Sequence, residues 1–108
     1  MKIKALMNLY FKDARKTGKS GEDMESFHRL YRKDLNTGVA PQAGWVIDNR
    51  YRIKYISIEN RDEIVCYVED IVFTADNDSH DIENQKEYCN SEIELLQKLG
   101  WEVVSINT

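Results

Sequence analysis

Asp76, Asp78 and Glu87 occupy the first, third and twelfth positions of the stretch DNDSHDIENQKE. A calcium loop places oxygen ligands at that spacing. His80 lies among them, so Asp76, Asp78, His80 and Glu87 are the candidate cation ligands of the chain. Three features oppose the assignment. The sixth position is Asp81, where the sharp turn needs glycine, and the eighth is Glu83, where an apolar anchor belongs. The preceding segment also reads as a strand, not as the helix that leads into such a loop. A solvated acidic loop is the stronger reading, and no metal is expected.

A second stretch, DARKTGKSGED, ends like a phosphate-binding loop at Gly18-Lys19-Ser20. The full pattern needs a glycine five residues earlier, and Asp13 stands there. Its carboxylate would face the phosphates that the loop's N–H groups should hold. Nucleotide binding is therefore not expected, and the stretch reads as a solvated connector. Cys66 lies in an apolar run and Cys89 in a polar one, with no CxxC pair, so both are expected as free thiols in a reducing compartment. The two histidines, His28 and His80, show no zinc-like spacing with either. Glu69 and Asp70 are adjacent acids inside EIVCYVEDIVF, where alternation sets one carboxylate on each face. They read as protection of a sheet edge or as a pocket acid. No catalytic residue and no cofactor are expected.

The most suggestive residues are basic. In RYRIKYISI, alternation puts Arg50, Arg52 and Lys54 on one face together with Ile56 and Ile58. Tyr51, Ile53 and Tyr55 fall on the other. A face that mixes cations with exposed isoleucines suits a protein partner or a second copy of the chain, so Arg50, Arg52, Lys54, Ile56 and Ile58 form the candidate partner-binding set. The alternative is a nucleic-acid backbone held by Lys2, Lys4, Arg50, Arg52 and Lys54. The tyrosines needed for base stacking would then point the wrong way, and the overall pI of about 5.2 is acidic. Arg29, Arg32 and Lys33 make a second basic group.

These residues need elements to carry them. KIKALMNLYF alternates as a strand, with a helix starting near Ala5 as the competing reading. Met24, Phe27, Tyr31 and Leu35 share a helical face behind an Asp23 cap, which predicts helix 1. A short strand over 44–47 turns through Asp48-Asn49 into RYRIKYISIE, followed by EIVCYVEDIVFT. Residues 75–90 read as a loop, and Ser91-Glu92-Ile93-Glu94 as a capping box opening helix 2. WEVVSI is the last strand. The order resembles the βαββαβ arrangement of ferredoxin-like domains, an α+β fold with two helices on one face and an extra short strand near 44–47.

A chain of 108 residues fits a single domain over 1–108. No apolar run is long enough to span a bilayer, and a cytoplasmic protein without membrane association is expected. The net charge of −4 hides a polarised layout, with basic residues concentrated before residue 62 and acidic ones after it. Polarity of this kind favours a charged partner, unless the halves interleave in space. The resulting expectation is a small non-enzymatic interaction protein that regulates or inhibits a partner. Its size and its Asn/Lys/Ile-leaning vocabulary suit a mobile-element or phage accessory protein.

Overall fold

The computed structural model describes residues 2–13, 26–75 and 79–107. Strand β1 (Lys2–Asp13) runs through the centre of a mixed sheet, because every second residue is apolar and completely enclosed. Ile3, Ala5, Met7, Leu9 and Phe11 are at most 6% exposed. Antiparallel β2 (Phe27–Leu35) lies on one side of β1, and β7 (Glu102–Asn107) pairs outside β2. On its other side β1 pairs parallel with two successive strands, β5 (Glu63–Val68) and then β6 (Ile71–Ala75). Beyond β5 come β4 (Tyr51–Asn60) and the two-residue β3 (Val46–Ile47). The sheet curls into a half-barrel, and one long helix, α1 (Ser79–Lys98), contacts β6 and β1.

The expected ferredoxin-like α+β fold with two helices is therefore corrected. The chain is mostly sheet, with a single helix among the described residues. The first predicted helix is β2. Phe27, Tyr31 and Leu35 are four residues apart, a spacing that keeps them together on a helix face and equally on one strand face, since four is even. Pairing along β1 decides the outcome: Phe27 stands opposite Phe11, Tyr31 opposite Met7 and Leu35 opposite Ile3. The proposed cap Asp23, Met24 and the Gly18-Lys19-Ser20 stretch lie outside the described residues.

The predicted acidic loop over 75–90 is corrected as well, because α1 already begins at Ser79. Its buried residues Ile82, Cys89 and Leu96 recur every two turns, so the apolar stripe is narrow and the acids around it mask the period. The predicted capping box at Ser91–Glu94 falls inside this helix and opens nothing.

Two irregularities re-aim side chains. Between Leu6–Tyr67 and Leu9–Ile71 the partner of β1 advances one residue more than β1 does. Glu69 and Asp70 absorb the surplus, and both are exposed. A second register shift lies between Ile53 and Tyr55 of β4. Before it Tyr51 and Ile53 point into the core; after it Ile56, opposite Cys66, packs against the core instead.

The β3–β4 turn is pinned to the rest of the molecule by one carboxylate. Asp48 and Asn49 have positive φ of 55° and 60°, as a tight hairpin requires. The Asp48 carboxylate accepts from Lys33 Nζ at 2.9 Å through both oxygens and from Trp101 Nε1 at 3.0 Å. Lys33 also donates to the Leu99 carbonyl at 2.6 Å, where α1 gives way to β7. Trp101 in turn meets the Tyr51 ring edge-on, 5.7 Å between centroids.

Candidate functional site

The expected partner-binding set is divided by the bulge in β4. Arg50 turns toward α1, donates to Glu92 at 3.2 Å and lies over the Tyr51 ring, whose hydroxyl also donates to Glu92 at 2.7 Å. Ile56 is drawn toward the core, while Ile58, 73% exposed, sits at the far end of β4 opposite Ile64. Arg52 and Lys54 remain exposed, and neither side chain has an ion-pair or hydrogen-bond partner among the described residues. Around them lie exposed apolar side chains that the alternation argument did not include. Val46 stands opposite Arg52, Trp45 precedes Val46, and Tyr55 follows Lys54, with exposures of 49%, 42% and 51%.

Lys2 and Lys4 do not join this margin. They lie on β1 opposite Glu63 and Val65, and Lys4 bonds Glu63 at 2.8 Å, holding that carboxyl below its ordinary range. Val65 faces Ser57, five residues along β4 from Arg52 and so about 17 Å away along the strand. The second basic group is dispersed too. Arg32 bonds Asp34 at 3.0 Å on the sheet face away from α1, whereas Arg29 and Lys33 lie on the core side. Lys4–Glu63 and Arg50–Glu92 both join the basic to the acidic half of the chain, so the polarised sequence is partly neutralised by folding.

The sheet face away from α1 carries a hydrogen-bonded row that sequence reasoning missed. Asn107 Nδ2 lies 3.4 Å from His28 Nδ1, His28 Nε2 lies 2.6 Å from Asn8 Oδ1, and Asn8 Nδ2 donates to Asp70 at 3.4 Å. Tyr10 stacks on His28 at 4.5 Å, and Tyr55 on Tyr67 at 4.6 Å. The signal available in the sequence was the polar and aromatic pair Asn8 and Tyr10 at even-numbered positions of β1, opposite the apolar odd-numbered ones. Tyr55 reaches this face only because of the bulge, contrary to the expectation that it would sit with Tyr51 and Ile53.

The cation candidates do not assemble. Asp76 and Asp78 lie outside the described residues, His80 falls on the first turn of α1, and Glu87 is exposed two turns later on the same helix. Among the described residues no group of three or more His, Cys, Asp or Glu side chains is placed to hold a metal. Cys66 and Cys89 are free and buried, and burial pushes the Cys89 thiol up to about 11 despite the opposing charge of Arg29. No described helix is long and apolar enough to cross a membrane. Compared with protein-family models, curated proteins and solved structures, the chain matches none.

Proposed function

We propose that this protein is a non-enzymatic interaction domain that regulates or inhibits a partner by docking it on the β3–β4 margin. One observation carries the reading: the uncompensated cations Arg52 and Lys54 stand among exposed Trp45, Val46 and Tyr55. Trp, Tyr and Arg are the side chains that dominate protein interfaces, because they bring large apolar area together with a directed polar group. The complementary partner is a segment that combines carboxylates with apolar side chains. Selection of displayed random peptides on the full chain tests this. Enriched peptides are expected to be acidic and aromatic or aliphatic, and to lose binding to Arg52→Glu/Lys54→Glu and to Trp45→Ala. Enriched peptides that bind both variants unchanged would overturn the assignment of this margin.

A homodimer has its own support at the opposite end of the sheet. Among the described residues β7 pairs only with β2, and its Val103, Val104 and Ile106 are 43%, 55% and 56% exposed. Two β7 strands pairing antiparallel about a two-fold axis can set Val103 opposite Ile106 of the other copy and Glu102 opposite Asn107. That register joins apolar side chains on one face without opposing like charges.

Nucleic-acid binding is the second reading. It is favoured by Tyr10, Tyr55 and Tyr67 lying on the same face as Arg52 and Lys4, which supplies the stacking surfaces absent from the sequence argument. Anisotropy of a labelled single-stranded oligonucleotide distinguishes it. Binding that weakens steeply with salt, and that Tyr55→Ala/Tyr67→Ala removes, would replace the protein-docking reading.

A further inference from the structure

Between α1 and the β2–β7 pair lies a cleft of about 390 Å³, whose walls include Ile93, Trp101 and Val103. Arg29 forms its basic side, with Tyr31 and Gln97 beside it. Arg29 is on the core face of β2, opposite Leu9 and Ile106, and is only partly accessible. Its guanidinium offers five N–H donors. One reaches the Tyr31 hydroxyl at 3.5 Å, the ring of Phe27 lies 5.4 Å away, and the buried Nε has no acceptor. Among the described residues no carboxylate forms an ion pair with it.

A guanidinium withdrawn from water without a counter-charge is costly unless something supplies one. The contrast with Arg50 is direct: Arg50 lines a depression of about 440 Å³ on the other side of α1 and is neutralised there by Glu92. We infer that the Arg29 cleft is a binding site for a small monocarboxylate with an apolar body. The carboxylate pairs with the guanidinium, which suits its planar fork, while the body lies along Ile93, Trp101 and Val103. A multiply charged phosphate fits less well. Among the described residues Arg29 is the only cation on the walls, and its single charge balances one carboxylate but not a multiply charged phosphate.

The probes are 3-phenylpropionate, its neutral amide and inorganic phosphate, each titrated against the full chain by calorimetry and by thermal melting. The carboxylate is expected to bind saturably with a stoichiometry of one and to raise the melting temperature, and the other two are not. Arg29→Gln is expected to weaken it by about tenfold or more. Ile93→Trp keeps Arg29 and fills the cleft, so it should also abolish binding, and it serves as the deciding variant if Arg29→Gln folds poorly. Equal binding of the amide, preference for phosphate, or unchanged carboxylate binding by Ile93→Trp would each overturn the site. None of these outcomes tests the β3–β4 margin, because Trp45, Val46, Arg52, Lys54 and Tyr55 do not line the cleft.

Discussion

At the scale of single residues, Asp48 does more than its place in a turn suggests. It tolerates a positive φ, and its carboxylate joins Lys33 of β2 to Trp101 at the start of the last strand. Asp48→Ala removes the charge, the indole acceptor and the left-handed tolerance together, and leaves the half-buried Lys33 ammonium held only by a carbonyl. A loss of about 3–5 kcal/mol is expected in urea unfolding, with Asp48→Asn losing less because asparagine keeps the turn conformation and one acceptor. Tyr51 and Cys89 set the alkaline limit. Burial, aided by the bond to Glu92, pushes the Tyr51 hydroxyl up to about 12 from 10.0, and burial raises Cys89 to about 11 from 9.0. Both groups therefore hold their protons to higher pH in the folded chain than in the unfolded one. Their contribution is full below about pH 9 and is lost as pH rises toward about 12. Urea midpoints measured from pH 8 upward should fall across this window, and less steeply above pH 10 for Tyr51→Phe.

At the scale of elements, the two acids between β5 and β6 carry the sharpest expectation. Glu69 and Asp70 supply one residue beyond what pairing with β1 requires. Deleting Asp70 alone leaves Val68 and Ile71 with their present core-facing parity, so cooperative unfolding should survive. Deleting both acids forces Ile71, Phe73 and Ala75 to exchange faces with Val72 and Thr74, and the core should fail. Circular dichroism with urea titration of the two deletions checks this. The same elements show what the sequence made legible. β1, the 44–47 hairpin, β4, β5 and β7 were readable because two-residue alternation, Asp48-Asn49 and runs of Ile, Val and Tyr are local signals. β2 was not, since Phe27, Tyr31 and Leu35 satisfy both periods and only pairing with β1 resolves them. Nor was the first half of α1, where a stripe of one buried residue every two turns is hidden among acids. The candidate margin was half legible: Arg52 and Lys54 were named, but the bulge that withdraws Ile56 and presents Tyr55 leaves no mark in composition.

At the scale of the whole molecule, the chain is elongated, with extents of 48 × 25 × 20 Å, and exposed apolar side chains mark both ends of the strand order, Val46 and Tyr55 at one and Val103, Val104 and Ile106 at the other. Strand edges of that kind invite pairing unless charge or a short strand blocks them. Among the described residues β3 shields only the first part of β4, and β7 has no such shield. Sedimentation at micromolar concentration is expected to report a dimer for the natural chain and a monomer for Ile106→Lys, with unchanged far-ultraviolet dichroism. A natural chain that sediments as a monomer at every concentration would remove self-pairing through β7 and leave the β3–β4 margin untouched.

The parallel pairing of β1 also sets a timetable. β1 is synthesised about 60 residues before the strands that close against it, an interval of roughly 3–12 s at a translation rate of about 5–20 residues per second. Through that interval Met7, Leu9 and Phe11 have at most the β2 hairpin beside them, and the helix that covers the core has not been made. Closure then depends on contacts distant in sequence, which fold slowly because loop-closure entropy must be overcome first. The nascent chain therefore passes through a stage in which its central strand is complete and uncovered, the state that a holdase would meet on the ribosome.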